Sequence, residues 1–193
     1  MPARWWVHYV EPLAEEKLAG VICEYISLYR FKTGPRVLLC IGTDRLTGDA
    51  LGPLVGTKLA ASCGHSFHVY GTLAEPVHAL NLRTKLEEIY SKHDNVLVIA
   101  VDASLGDSKN VGLITVGTGP IRPGAGVEKV LPHVGHVHIT GVVSTGGLGE
   151  LLNTRLHLVM SQAEVIAAAL LRVARAEELT KVLRSDGSSA EGA

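Results

Sequence analysis

The stretch 36–56, RVLLCIGTDRLTGDALGPLVG, constrains the fold more than any other part of the chain. Residues 37–41 are apolar, too few for a helix, and bounded by Pro35 and Gly42. They predict a buried β-strand. A polar loop with Thr43, Asp44, Arg45, Thr47 and Asp49 follows. Gly52 and Pro53 then lead into Leu54, Val55, Leu59 and Ala60 at helical spacing, with Pro53 in the first turn, where its missing N–H does no harm. Strand, acid-bearing loop and helix together make the unit from which α/β sites are built.

The core around this unit must be aliphatic, because aromatic residues make up only 5% of a chain that is 47% hydrophobic. Val-, Leu- and Ile-rich strands with Ala/Leu helices suit a mostly parallel sheet covered on both faces. At 193 residues the chain is long enough for one domain with a sizeable core, expected over 1–183, and the Ser/Gly-rich 184–193 reads as a disordered tail. Charge is balanced, 18 basic against 19 acidic residues, with no basic stripe, so nucleic acid is not an expected partner. No apolar run was expected to approach the roughly 18 residues that span a bilayer. The amino terminus carries no signal-peptide core. Cys23, Cys40 and Cys63 are scattered and odd in number, which reads as free thiols in a reducing cytoplasm.

In chain order, 11–30 reads as a first helix, with Trp5 and Trp6 before it packing it down or serving an oligomer contact. Residues 67–70 read as a second strand, 77–90 as a helix, and 96–101 as the strongest strand, apolar throughout and ending at Asp102. Residues 110–117 and 136–143 read as further strands, and 148–182 as two helical pieces divided near Asn153. Such an alternation predicts a doubly wound sheet.

In such sheets the first and third strands are commonly neighbours, and ligands bind beyond their carboxyl ends. Asp49 leaves the first and Asp102 ends the third, so one crevice would hold both. The bland alternatives are a helix cap for Asp49 and a turn residue for Asp102. Two close carboxylates cannot both ionise cheaply; one keeps a proton, which suits acid/base work on a water. They could equally hold a metal. Residues 42–48 are neither a dinucleotide fingerprint nor a phosphate loop, and Ser144 lacks the nucleophile elbow. His133, His136 and His138 form a cluster in which His136 and His138 share a strand face, His138 being the better ligand candidate. Glu75 and His78, at the end of the second strand, face the same crevice.

The phrases IGTDRLTGDALGPLVGTKL, YGTLAEPVHALNL, VIAVDASLG, GPIRPGAGVEKVLPHVG, HITGVV and NTRLHLVM resemble the YyaC-like sporulation proteins of spore-forming Firmicutes. More distantly, the first and third are similar to the germination protease and the hydrogenase-maturation endopeptidases. This resemblance implies a three-layer phosphorylase/hydrolase-like α/β fold with a mostly parallel central sheet. It carries the two catalytic acids of the protease onto Asp49 and Asp102, although Thr43 stands where that family has asparagine. In the endopeptidases the matching acids bind nickel with a histidine, which implies Asp49, Asp102 and His138 as a nickel or zinc set if the site is metal-dependent.

The expectation from sequence is therefore a cytoplasmic, sporulation-associated peptidase without membrane association, forming a homo-oligomer in one version. Asp49 and Asp102 activate water, while Thr43, Asp44, Glu75, His78 and the glycine-rich loop with Gly124 and Gly126 shape the protein or peptide substrate side. The alternatives are a non-catalytic metal- or peptide-binding protein using the same crevice, and a small-molecule hydrolase.

Overall fold

The two apolar segments expected at the centre of the sheet lie side by side. Strand β2 (Arg36–Cys40) pairs in parallel with β4 (Leu97–Leu105), Cys40 standing opposite Val101. The computed structural model describes residues 4–62, 66–123, 131–146 and 148–187. Around the central pair stand β1 (Arg4–His8), β3 (His68–Tyr70), β5 (Leu113–Thr118) and β6 (Val137–Ser144), in the order β1-β5-β6-β4-β2-β3. Only β5 runs against the others: β3, β2, β4 and β6 pair in parallel, β5 is antiparallel to β6, and β1 is antiparallel to β5. The sheet is thus mostly parallel, as the composition requires.

Alternation along β2 and β4 feeds two apolar layers, which is why both read as unbroken hydrophobic runs. Leu38, Cys40, Leu97, Ile99 and Val101 join the larger core, with residues of α1 (Ala14–Ser27), α2 (Leu51–Ala60) and α5 (Leu156–Gly187). Val37, Leu39, Val98 and Ala100 join the other, under Leu82, Leu86 and Ile89 of α3 (Leu82–Lys92) and under Leu131 and Val134. A short α4 (Leu148–Leu152) precedes α5, so the expected break near Asn153 falls between them. The result is a three-layer α/β fold.

Several boundaries differ from the sequence reading, each for a physical reason. Strand β4 does not end at Asp102 but continues to Leu105, because β6 runs beside it and pairs through a register shift at Ser104/Leu105. The third helix begins at Leu82 rather than 77, since Val77 is held in a parallel bridge to Ile41. Trp5 and Trp6 belong to an edge strand; Trp5 packs on the larger core while Trp6 is 60% exposed. Helix α5 runs to Gly187, past the expected tail boundary at 184.

Contrary to expectation, the stretch Leu156–Ala176 of α5 is long and apolar enough to cross a membrane by length and composition. In this fold it is a core helix. Val159, Ala163, Ile166, Leu170 and Val173 recur at three- and four-residue spacing, are each 0% exposed, and sit in the core shared with α1 and α2. Cys23 is half-buried and Cys40 buried, neither in a disulfide; Cys63 lies outside the described residues.

The site depends on how closely α2 approaches β2. A methyl group on Gly52 would run into the backbone carbonyl and nitrogen of Ile41. Alanine gains up to about 1 kcal/mol of helix propensity over glycine, but overpacking against immovable backbone costs about 1–3 kcal/mol and wins. Gly52→Ala is expected to lower the urea midpoint with an unchanged slope; a variant as stable as the parent would show that the approach has slack.

Candidate functional site

The loop leaving β2 closes on itself through backbone bonds. Ile41 N–H donates to the Val101 carbonyl (2.7 Å), Gly42 N–H to that of Val77 (2.8 Å), and Thr43 N–H to that of Asp49 (3.0 Å). Asp49 ends a 3-10 turn, Thr47–Asp49, which lies against β4. Gly42 permits this closure: its φ is +137°, and any side chain there would strike the Asp49 carbonyl and the Pro53 ring. Asp49 is therefore fixed at the exit of β2, beside the strand that carries Asp102.

The bland reading of Asp49 fails. The residue preceding α2 is Ala50, and no side chain caps that helix. Burial without such a bond raises the Asp49 carboxyl to about 6, against which the Thr43 backbone N–H pulls only partly. Asp102 is 6% exposed, and its Oδ1 accepts the N–H of Ala103 at 2.9 Å. It stands inside the sheet, opposite Thr140 of β6, whose hydroxyl bonds that of Thr115 on β5 at 2.7 Å. Sequence reasoning missed Thr115 and Thr140. The available signal was a threonine in the otherwise apolar HITGVV.

Of the residues expected on the substrate side, Thr43 is half-buried, with its hydroxyl accepting the Arg45 N–H, and Asp44 is exposed. The bridge between Ile41 and Val77 brings the segment bearing Glu75 and His78 alongside the β2 exit. Glu75 is exposed there, its N–H bonded to the Thr72 hydroxyl. His78 organises the entry to α3: its N–H donates to Asn81 Oδ1 (2.8 Å) and its Nδ1 accepts the Leu80 N–H (3.2 Å). Gly124 and Gly126 lie outside the described residues.

The histidines do not gather. His136 precedes β6, its Nδ1 accepting the Val98 N–H (3.0 Å) and its ring edge-on to Tyr29. His133 is exposed and accepts from Arg122. His138 is buried against Gly117, its Nδ1 bonded to the Gly119 carbonyl at 2.9 Å, and burial lowers its pKa. Among the described residues no three His, Cys, Asp or Glu side chains come together as a set that could hold a metal ion. The suggested Asp49, Asp102 and His138 set is therefore not assembled among the described residues.

A mostly parallel sheet with one acid at the exit of a central strand and another buried on its neighbour defines an α/β protein with both acids on the strands that flank a topological switch point. The chain belongs to the family described as "Protein of unknown function (DUF1256)", which it matches over residues 6–169. It is 47% identical over 175 residues to "Uncharacterized protein YyaC" of Bacillus subtilis (strain 168), covering 89% of this chain and 84% of that protein. It also has a looser likeness to the structure of a [NiFe] hydrogenase maturation protease, HycI, from Thermococcus kodakarensis KOD1. There the TM-score is 0.46 and the identity 18%, over 80% of this chain and 99% of the other.

The raised Asp49 pKa makes stability depend on pH with a definite sign. An unfolded aspartate titrates near about 3.9 and the folded one near about 6. Between these values the folded state holds the extra proton, so stability falls as pH rises through that window and stays lowered above it. The full penalty is on the order of 2–3 kcal/mol. Asp49→Asn is expected to be more stable than the parent at pH 8 and about equal at pH 4, by urea unfolding at both. A variant less stable at pH 8 would show that the ionised carboxylate is well solvated.

Proposed function

We propose that the protein is a peptidase-like hydrolase that cleaves a protein or peptide substrate with Asp49 and Asp102. The observation that carries this reading is Asp49 itself, an uncapped carboxyl raised to about 6 by burial at the exit of β2, beside the strand of Asp102. A carboxyl titrating there exchanges protons near neutral pH, where a general acid is most effective. The setting is the cytoplasm of the sporulating cell or forespore, in keeping with the sequence phrases shared with the YyaC-like proteins.

In the reaction Asp102 takes a proton from a water molecule as its oxygen attacks the peptide carbonyl. Asp49, protonated, supports the oxygen that becomes negative and then delivers its proton to the leaving amine. A carbon–oxygen bond forms and the carbon–nitrogen bond breaks. The proton taken by Asp102 returns to Asp49 for the next turnover. Glu75, Thr43 and Asp44, at the mouth of the β2 exit, contact the flanking peptide.

The test is incubation of the full chain with a proteome-derived peptide mixture and mass spectrometry for new termini. Cleavage by the parent is expected to fall about 100-fold or more in Asp49→Asn and in Asp102→Asn. Because Asp49 acts protonated, kcat/KM on a cleaved peptide is expected to decline as pH rises through about 6. Unchanged cleavage in both variants would overturn the reading, and a peptide mixture left intact by the parent would favour a receptor using the same crevice.

A further inference from the structure

A concavity whose lining includes neither aspartate opens where the turn after β1, the end of β6 and the start of α5 meet. Its volume is about 600 Å³, within the range of small-molecule sites. Its walls differ in chemistry. One is apolar, formed by Tyr9, Val111, Val143 and Leu158. The His8 ring holds this wall in place, bonding the Val111 carbonyl through Nε2 (3.2 Å) and stacking on Tyr9 with centroids 5.0 Å apart.

The rest of the lining supplies hydrogen-bond donors. Ser144 lines the cavity, is 7% exposed, and its hydroxyl has no hydrogen-bond partner among the described residues. Arg155 lines it too and makes no ion pair or side-chain hydrogen bond among them. His157 adds an imidazole. The same wall holds the first turn of α5, whose Leu156 and His157 N–H groups have no intrahelical acceptor and carry the positive end of a 32-residue helix dipole. The single carboxylate of the lining, Glu150, is already engaged by the Thr145 hydroxyl.

Ser144, held in the protein wall, and Arg155, exposed beside it, are thus both free to engage a ligand in one cavity without first breaking a bond inside the protein. We propose that this pocket binds a small organic oxyanion, a phosphate or carboxylate carried on an apolar body. The oxyanion takes the Ser144 hydroxyl, the Arg155 fork and the α5 amides, while the apolar body lies on Tyr9, Val111, Val143 and Leu158. The inference uses neither aspartate and stands apart from the hydrolase reading.

Calorimetric titration of the full chain with phenyl phosphate, benzoate, inorganic phosphate and benzamidine tests it. At least one aromatic oxyanion is expected to bind saturably at one site, with a Kd of about 1 mM or below. The tighter of the two tells phosphate from carboxylate. Arg155→Gln, a change at an exposed position, is expected to weaken binding about tenfold or more, and Ser144→Ala by about threefold. Benzamidine, the same ring with a cation, is expected not to bind. Absence of saturable binding by either aromatic oxyanion, undiminished binding by Arg155→Gln, or equal binding of benzamidine would each overturn the proposal. So would inorganic phosphate binding as tightly as phenyl phosphate, since the apolar wall would then play no part.

Discussion

The structure hangs on a seam without side chains, where the start of α2 and the loop before it are pressed onto the end of β2. Gly52 lies on the backbone of Ile41, and Gly42 lies under the carbonyl of Asp49. Because neither carries a Cβ, main chain meets main chain, and Ile41 remains extended long enough to bond Val101 on one side and bridge Val77 on the other. Three segments distant in sequence are drawn to one point at the carboxyl end of the sheet. Asp49 is half-buried as a consequence of that seam, not through any bond its carboxylate makes to α2.

This also explains which parts were legible in the sequence. Strands buried on both faces announce themselves as apolar runs, so β2, β4 and β6 and their parallel pairing could be read from Val, Leu and Ile alone. Edges could not. In β1, Val7 is buried while Trp6 is exposed, and two adjacent tryptophans hide that alternation from a pattern search. The length of β4 was set by its neighbour: Ala103, Ser104 and Leu105 have no strong strand signal, yet β6 pairs with them. The start of α3 was set by Ile41, which holds Val77 extended after Pro76. That the strand leading to Asp49 and the strand carrying Asp102 are neighbours was legible, because topology alone brings such strands together. His138 is instead seated over Gly117 and bonded to the Gly119 carbonyl, and no spacing rule encodes that.

Buried polar groups usually have a structural reason, and here most do. His138 has the Gly119 carbonyl, Thr140 has Thr115, and Gln162 donates to the carbonyls of Leu113 and Val142, with its Oε1 unpartnered. Asp49 has only the partial help of Thr43. A group held at a cost on the order of 2–3 kcal/mol, in a protein whose whole stability is of the order of 5–15 kcal/mol, is a poor structural element and a reasonable acid. Stability and chemistry pull in opposite directions at that residue, and the glycine seam enforces the outcome.

The loop that holds Asp49 and the pocket at the head of α5 share a mechanical support. Gly48, the residue before Asp49, packs against Leu151 and Thr154 at the turn between α4 and α5, and Thr154 lines the pocket at the head of α5. The loop that buries the acid and the wall that presents Ser144 and Arg155 therefore rest on one turn. Close-packed contacts of this kind transmit displacement rather than absorb it.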